Sequence, residues 1–132
     1  MTEMDQATIL LVDDEDIILE VNREILETMG YRVLAAATGR EALEIYGSHS
    51  GEIDLVILDM VMPDIGGGEI FTSIKALNPG VKVILSSGYI PNDETAGLME
   101  QGCDAFIQKP FRIDAFLAKI RDVLGQNPPL EP

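Results

Sequence analysis

The stretch Leu55-Val56-Ile57-Leu58-Asp59-Met60-Val61-Met62-Pro63 decides the interpretation of this chain. It begins with four apolar residues, a run of strand length, and a single carboxylate, Asp59, follows them. A strand that buries its apolar side chains and then ends on an acid holds that acid at the edge of a sheet, pointing in a fixed direction. The stretch therefore predicts a buried central strand with a candidate functional carboxylate at its carboxyl end.

A second apolar run, Ile9-Leu10-Leu11-Val12, also ends on acids, Asp13 and Asp14. Three carboxylates at the ends of two buried strands predict a magnesium site, because Mg²⁺ prefers hard oxygen ligands and keeps several waters. Without a cation, such clustering would be repulsive and would raise a pKa. Capping of the first helix is an alternative role for Asp14, but it does not explain Asp59, which is the candidate nucleophile.

Apolar runs of strand length alternate with segments of helical period five times along the chain. This alternation predicts an α/β fold with a five-stranded parallel sheet and helices on both faces. We expect the flavodoxin-like strand order 2-1-3-4-5, which places strands one and three side by side at the point where such sheets bind ligands. The predicted strands are about Ile9–Val12, Arg32–Ala35, Leu55–Leu58, Val81–Leu85 and Ala105–Ile107. The predicted helices are about Glu15–Met29, a helix opening at Thr38, Gly68–Leu77, Pro91–Gly102 and Ile113–Leu124.

Three helices carry more specific signals. The first has apolar residues that recur at helical spacing, namely Ile18, Val21, Ile25 and Met29. Thr38 and Glu41 form a capping box at the start of the second. The fourth holds Gly97 in its interior and few large apolar residues, so we expect it to be the least stable.

Length and charge limit the class of protein. A chain of 132 residues suits one domain, and we expect this domain over residues 8–125, after an extension over 1–7 and before a disordered tail over 126–132. The net charge is −14, from 23 acidic and 9 basic residues. This balance argues against direct binding of nucleic acid, which requires a basic surface.

The single cysteine, Cys103, excludes an internal disulfide and fits a reducing compartment. No apolar run reaches the roughly 18 residues of a membrane-spanning helix, and the polar, acidic amino terminus does not resemble a secretory signal. We therefore expect a cytoplasmic protein with no membrane partner.

Two further positions follow predicted strands. Lys109 comes after the last strand, so its ammonium group can reach the edge that carries Asp59 and pair with it, although a solvated lysine in a turn has the same position. Pro110 is a plausible cis proline that would aim this lysine inward. Ser87, preceded by Ser86, follows the fourth strand and offers a hydroxyl donor for a phosphoryl oxygen, unless the backbone satisfies it.

Together these residues resemble the receiver domain of two-component response regulators, of the chemotaxis-receiver type. Four separate motifs occur in the expected order, and the resemblance covers about Thr8 to Leu124. The motifs are Asp13-Asp14, Asp59-Met60-Val61-Met62-Pro63, Ser87-Gly88 and Lys109-Pro110-Phe111.

The resemblance implies a signalling switch. Asp59 would accept a phosphoryl group from a histidine kinase or phosphotransfer domain. Asp14, Asp59 and the backbone carbonyl of Val61 would ligate Mg²⁺ directly, and Asp13 would act through water. Lys109 and the Ser87 hydroxyl would bind the phosphoryl oxygens.

The output side of the switch is also implied. The aromatic Phe106 would move inward when Ser87 shifts toward the phosphate, and this would change binding of an unknown downstream protein at the fourth helix, fifth strand and fifth helix. The chain would be a monomer or a phosphorylation-linked homodimer.

It would catalyse only its own phosphorylation and a slow self-hydrolysis of the phosphorylated form. Hydrolysis would be slow because Val61 and Tyr89 occupy positions that tune it, and neither is suited to positioning a water. The stretch Gly66-Gly67-Gly68 has glycine where family members often carry an acid before the loop glycine, which suggests a looser loop.

Alternatives remain at this point. A magnesium-dependent phosphohydrolase of the haloacid dehalogenase type also uses a strand-end aspartate, but it needs an acid two residues later, where this chain has Val61. A receiver-like module that no longer takes phosphate is disfavoured by the intact Asp59 and Lys109. The parent system is open between a free-standing regulator and a segment of a hybrid sensor kinase, which the stretch Ser86-Ser87-Gly88-Tyr89 weakly favours.

Overall fold

A computed structural model describes residues 7–62, 64–88 and 93–125 of the chain. Five strands alternate with five helices in this part of the chain. The strands are β1 (Thr8–Val12), β2 (Arg32–Ala36), β3 (Leu55–Asp59), β4 (Lys82–Ser87) and β5 (Ala105–Gln108). The helices are α1 (Asp16–Thr28), α2 (Gly39–His49), α3 (Gly67–Leu77), α4 (Asp93–Glu100) and α5 (Ile113–Leu124). Nearly all of the predicted extension, the whole predicted tail, Tyr89 and Pro91 fall outside the described residues.

The strands form one parallel sheet in the order β2-β1-β3-β4-β5. The predicted strand order is therefore confirmed. In the register of the two central strands, Val12 lies opposite Leu58. The residues that follow them, Asp13 and Asp59, consequently leave the sheet side by side at its carboxyl edge.

The sheet separates two apolar cores. Alternate residues of each strand point to opposite faces, so Leu10 and Val56 pack on the side that also holds Tyr46, Phe71 and Ile74. Their strand neighbours pack on the opposite side, in a cluster with Leu26, Phe116 and Ile120; these neighbours are Ile9, Leu11, Leu55 and Ile57. Each fully buried side chain of this size contributes about 1.5–3 kcal/mol to stability. The site at the carboxyl edge is therefore built on rigid, doubly covered strands.

The apolar residues whose spacing predicted helix α1 do not form its buried face. The buried residues of this helix are Asn22 and Leu26, whereas Val21 and Met29 are about half exposed. Helix α1 carries two apolar stripes, and packing against the sheet selects the one that contains Leu26. The other stripe, with Ile17 at 78% exposure, faces solvent.

The helix ends largely follow the sequence signals. The Thr38 hydroxyl accepts from the Glu41 N–H at 3.1 Å, as in a capping box. The Glu41 carboxylate reaches back to the N–H of Ala37, one residue before the N-cap Thr38, at 3.0 Å. Helix α4, with eight residues, is the shortest of the described helices. Within the described ranges, none of the helices has the length and apolar character needed to cross a membrane.

Candidate functional site

Three carboxylates converge at the carboxyl edge of β1 and β3. Asp13 and Asp59 are buried, with exposures of 3% and 5%, and Asp14 is exposed beside them. One carboxylate oxygen from each of the three lies within 4.8 Å of the others. The structure thus brings together the three acids that the sequence predicted to be neighbours.

Lys109 reaches this cluster from the end of β5. Its Nζ lies 3.2 Å from Asp59 Oδ2 and 2.6 Å from Asp13 Oδ2. Its backbone N–H donates to the Ser87 carbonyl at 2.7 Å, and the peptide bond to Pro110 is cis, as predicted. The predicted contact with Asp59 is confirmed, and the shorter contact with Asp13 is an addition that the sequence did not indicate.

Burial and charge act together on these groups. Burial raises the pKa of Asp59, and neighbouring Asp13 raises it further, although the Val61 N–H at 3.2 Å and the Lys109 ammonium oppose this change. Burial lowers the pKa of Lys109, but its hydrogen bond to Asp13 and the charges of Asp59 and Asp13 outweigh burial, so the pKa rises overall. Lys109 is therefore a permanent cation at neutral pH, and one ammonium does not fully compensate the buried acids.

The cluster borders an open pocket of about 290 Å³. Six residues line it, namely Asp14, Glu15, Asp59, Val61, Gly88 and Lys109. The pocket offers hard oxygen ligands, an exposed carboxylate and access for water, which is the donor set that Mg²⁺ prefers. Asp14 and Asp59 line the pocket, whereas Asp13 is held by Lys109 and is not among the lining residues. These residues fit a divalent cation with water completing its shell.

Ser87, Phe106 and Val61 occupy different places around the site. Ser87 is buried at the end of β4, directly before the pocket residue Gly88. Val61 lies on the pocket with its side chain half exposed. Phe106 lies away from the pocket in β5, where it is half buried against the core that contains Leu98.

The sequence analysis did not select Glu15. Its Oε1 lies 3.9 Å from Lys109 Nζ at the rim of the pocket, and its N–H donates to Asp13 Oδ1 at 3.0 Å. Its position directly after Asp14 is the sequence signal that could have identified Glu15 as a site residue. Glu15 adds a further negative charge to the entrance of the pocket.

Gly67 permits the close approach of α3 to the residues that follow β3. A Cβ atom at Gly67 would lie 2.6 Å from Met60 Cα and 2.8 Å from the Asp59 carbonyl oxygen, whereas one at Gly66 would meet nothing within 4 Å. We expect Gly67→Ala to lower the free energy of unfolding by about 2 kcal/mol, the range of overpacking effects, and Gly66→Ala to change it little. Thermal unfolding of the two variants checks this, and equal melting temperatures would contradict it.

The chain was compared with known proteins. A family model for the response regulator receiver domain matches residues 9–121. The sensor kinase CckA of Brucella abortus is 35% identical over 121 residues, which are 92% of this chain and 13% of that protein. The CheY-like receiver domain protein of Methanospirillum hungatei has 34% identity and a TM-score of 0.85, with coverage of 92% of this chain and 95% of that one. TrrA of Thermotoga maritima, solved in complex with Mg²⁺ and BeF, has 35% identity, a TM-score of 0.78 and coverage of 89% and 99%.

The first curated relatives are longer than the part they share with this chain, which spans 13%, 31% and 51% of their lengths. The part of this chain that the family model matches contains the three carboxylates and Lys109. The family match extends over most of the sequence and agrees with both the fold and the motifs. This chain belongs to the response regulator receiver domain family.

Proposed function

We propose that the chain is a phosphoacceptor switch, in which Asp59 takes a phosphoryl group from the phosphohistidine of a histidine kinase or phosphotransfer domain. The observation that carries this proposal is the meeting of Lys109, from the carboxyl-terminal half, with Asp13 and Asp59, from the amino-terminal half, beside an open pocket. Catalysis of phosphoryl transfer depends mainly on positioning and on compensation of charge. The pocket supplies a directed nucleophile and a fixed cation.

Mg²⁺ is the cofactor that suits this site. Asp14, Asp59 and the Val61 carbonyl would hold it directly, and Asp13 would act through water. When bound, it would compensate the negative charge of the acids and of the phosphoryl oxygens. The complex of TrrA with Mg²⁺ and BeF supports this choice of cation.

The transfer step follows from the contacts of Asp59 and Lys109. A carboxylate oxygen of Asp59 attacks phosphorus, the bond from phosphorus to the donor imidazole nitrogen breaks, and its electron pair stays on that nitrogen. Lys109, released from part of its pairing with Asp59, donates to a phosphoryl oxygen. The Ser87 hydroxyl binds a second phosphoryl oxygen. The resulting acyl phosphate is hydrolysed slowly, because Val61 offers no side-chain group to orient a water.

The signal would leave through α4, β5 and α5. Phe106 lies in β5 at the edge of the sheet, and Lys119 of α5 donates to its carbonyl oxygen at 3.1 Å. A shift of Ser87 toward the phosphate would change the packing of Phe106 and move this surface between two states. Helix α4 is short and holds Gly97. Both features lower the free-energy cost of rearranging this helix. A downstream protein would read the change.

The donor would dock on the exposed apolar face of α1. This helix begins directly after the pocket residues Asp14 and Glu15, and its first two turns expose Ile17 and Val21 on one face. A donor histidine must enter the same pocket, so the surface of the donor protein around that histidine must cover the exposed apolar face of α1. Contiguous exposed apolar patches with polar surroundings mark interaction surfaces, and Ile17 and Val21 are neighbours one helical turn apart.

We expect the double variant Ile17→Ser, Val21→Ser to slow transfer from a phosphorylated phosphotransfer domain about tenfold, the effect of losing interface contacts worth about 1.4 kcal/mol. Phosphorylation by acetyl phosphate should stay unchanged. Met29→Ser, at the far end of α1, is the matched control because Met29 is also half exposed. Equal transfer rates for both variants would place the docking surface elsewhere.

Incubation with acetyl phosphate and Mg²⁺, followed by intact mass measurement, tests the proposed function. We expect a single phosphoryl adduct that forms only with Mg²⁺ and no turnover of p-nitrophenyl phosphate. Absence of an adduct would favour an interaction module, and repeated turnover of the ester would favour a phosphohydrolase.

A further inference from the structure

We infer that Asp64 is a positioning residue for the metal and phosphoryl site: it holds the loop after the phosphoacceptor against the first turn of α2. The described residues of this loop are 60–62 and 64–66, between β3 and α3. The inference rests on the proposed function and adds to it a tertiary contact that contributes to fixing the Val61 carbonyl. Neither the motifs nor the pocket residues include Asp64.

The carboxylate of Asp64 accepts three backbone hydrogen bonds. Its Oδ1 accepts from the Gly39 N–H at 2.9 Å, and its Oδ2 accepts from the Arg40 N–H at 3.0 Å. Its Oδ1 also accepts from the N–H of Ile65 at 2.8 Å. Gly39 and Arg40 are the first two residues of α2, whose N–H groups lack partners within the helix.

The charge of Asp64 suits this position. A carboxylate is favoured at a helix amino terminus, and the N–H groups of Gly39 and Arg40 lower the pKa of Asp64. Thr38 caps the next N–H of the helix, that of Glu41. Asp64 therefore caps, from a loop distant in the sequence, the first two N–H groups of α2, which Thr38 does not cap.

The packing of Gly39 gives a second and independent observation. A Cβ atom at this buried glycine would lie 2.9 Å from Ile65 Cβ and 2.9 Å from Ile70 Cδ1. The loop thus lies directly on the helix turn, at a distance that only glycine permits. Two neighbouring loop residues, Asp64 and Ile65, are in contact with the same turn, one through polar atoms and one through carbon.

The consequence for the site concerns Val61, three residues before Asp64. Near β3 the loop is held by the bond from the Val61 N–H to Asp59 Oδ1. Met60 is held by two backbone bonds, since its N–H donates to the Ser86 carbonyl at 2.9 Å and its carbonyl accepts from the Gly67 N–H at 3.0 Å. The Met62 side chain is buried in the core. The contact of Asp64 adds an attachment to α2, a further element, and so additionally limits movement of the Val61 carbonyl. Its loss should weaken Mg²⁺ binding while β3 and Asp59 stay in place.

The test compares Asp64→Ala and Asp64→Asn with Asp114→Ala in the full chain. Asp114 is a matched control because it is also an exposed acid that accepts a backbone N–H at a helix amino terminus and has a lowered pKa. Calorimetric titration gives the Mg²⁺ affinity, and intact mass gives the rate of phosphorylation by acetyl phosphate.

We expect Asp64→Ala to weaken Mg²⁺ binding about tenfold, as loss of a supporting contact does in metal sites, with Asp64→Asn intermediate and Asp114→Ala unchanged. At saturating Mg²⁺ the phosphorylation rates should return close to that of the wild type. Gly39→Ala, which displaces the loop by a different route, should weaken Mg²⁺ binding in the same direction.

A lower melting temperature with unchanged Mg²⁺ affinity in the Asp64 variants would overturn the inference, because Asp64 would then be a helix cap alone. A wild-type chain that takes up no phosphoryl group would overturn the proposed function instead. An active wild type with unaltered Asp64 variants would overturn only the role of Asp64.

Discussion

Asp59→Asn is expected to abolish phosphorylation by acetyl phosphate, with a loss greater than about a thousandfold, as for removal of other nucleophiles. An amide has no anionic oxygen to attack phosphorus and is a poorer ligand for Mg²⁺. The variant keeps the size of the side chain and can still accept the Val61 N–H. The loss should therefore occur without unfolding, and intact mass with and without Mg²⁺ measures it.

The same substitution should raise the melting temperature of the metal-free protein at neutral pH. Burial raises the pKa of Asp59 in the folded state. The stability that this group contributes is thus present below its unfolded pKa of about 3.9 and is lost as the pH rises through the raised folded value. At neutral pH the ionised carboxylate opposes folding, and the amide removes this cost.

Asp122→Asn is the control for both measurements, because Asp122 is an exposed aspartate of α5. It should phosphorylate and melt like the wild type. An Asp59→Asn protein that still gains a phosphoryl group would place the acceptor on another residue.

Lys109→Gln is expected to have the second large effect. The substitution removes the ammonium group that lies 2.6 Å from Asp13 Oδ2 and 3.2 Å from Asp59 Oδ2. Loss of one charged donor to the transferring group should slow phosphorylation about 10²–10³-fold. Two buried carboxylates also lose their partner, which should destabilise the metal-free protein by about 3 kcal/mol.

Mg²⁺ separates the two consequences of this change. Added Mg²⁺ should recover much of the lost stability of Lys109→Gln, because it replaces the missing positive charge, but it should not recover the rate. Lys82→Gln is the control, since Lys82 lies at the opposite end of β4. Urea unfolding and the phosphorylation time course measure the two effects, and a rate equal to that of the wild type would remove Lys109 from the transfer step.

Much of the fold and of the site follows from the sequence because central parallel strands are covered on both faces. Strands β1 and β3 therefore appear as uninterrupted apolar runs, and the acids that follow them must meet at one edge of the sheet. The contact of Lys109 with Asp59 follows from the same reasoning, since β5 ends at that edge.

The features that were missed depend on tertiary packing. Helix α1 has two apolar stripes, and the helical spacing of its apolar residues does not show which stripe is buried. In the structure Leu26 is buried and Val21 is half exposed. The short contact of Lys109 with Asp13 depends on the direction that the lysine side chain takes between Asp13 and Asp59. The bond from Gly39 to Asp64 joins residues 25 positions apart in the chain, and no local signal in the loop indicates it.

The most direct measurement traps the acyl phosphate after acetyl phosphate and Mg²⁺ treatment. Borohydride reduces an acyl phosphate to an alcohol, and tryptic cleavage after Arg40 and Lys75 yields one peptide with three aspartates, Asp54, Asp59 and Asp64. Fragmentation of this peptide locates the reduced side chain. Our account predicts reduction at Asp59 alone and only when Mg²⁺ was present. Reduction at Asp54 or Asp64, or none in a chain that carries a phosphoryl group, would contradict it.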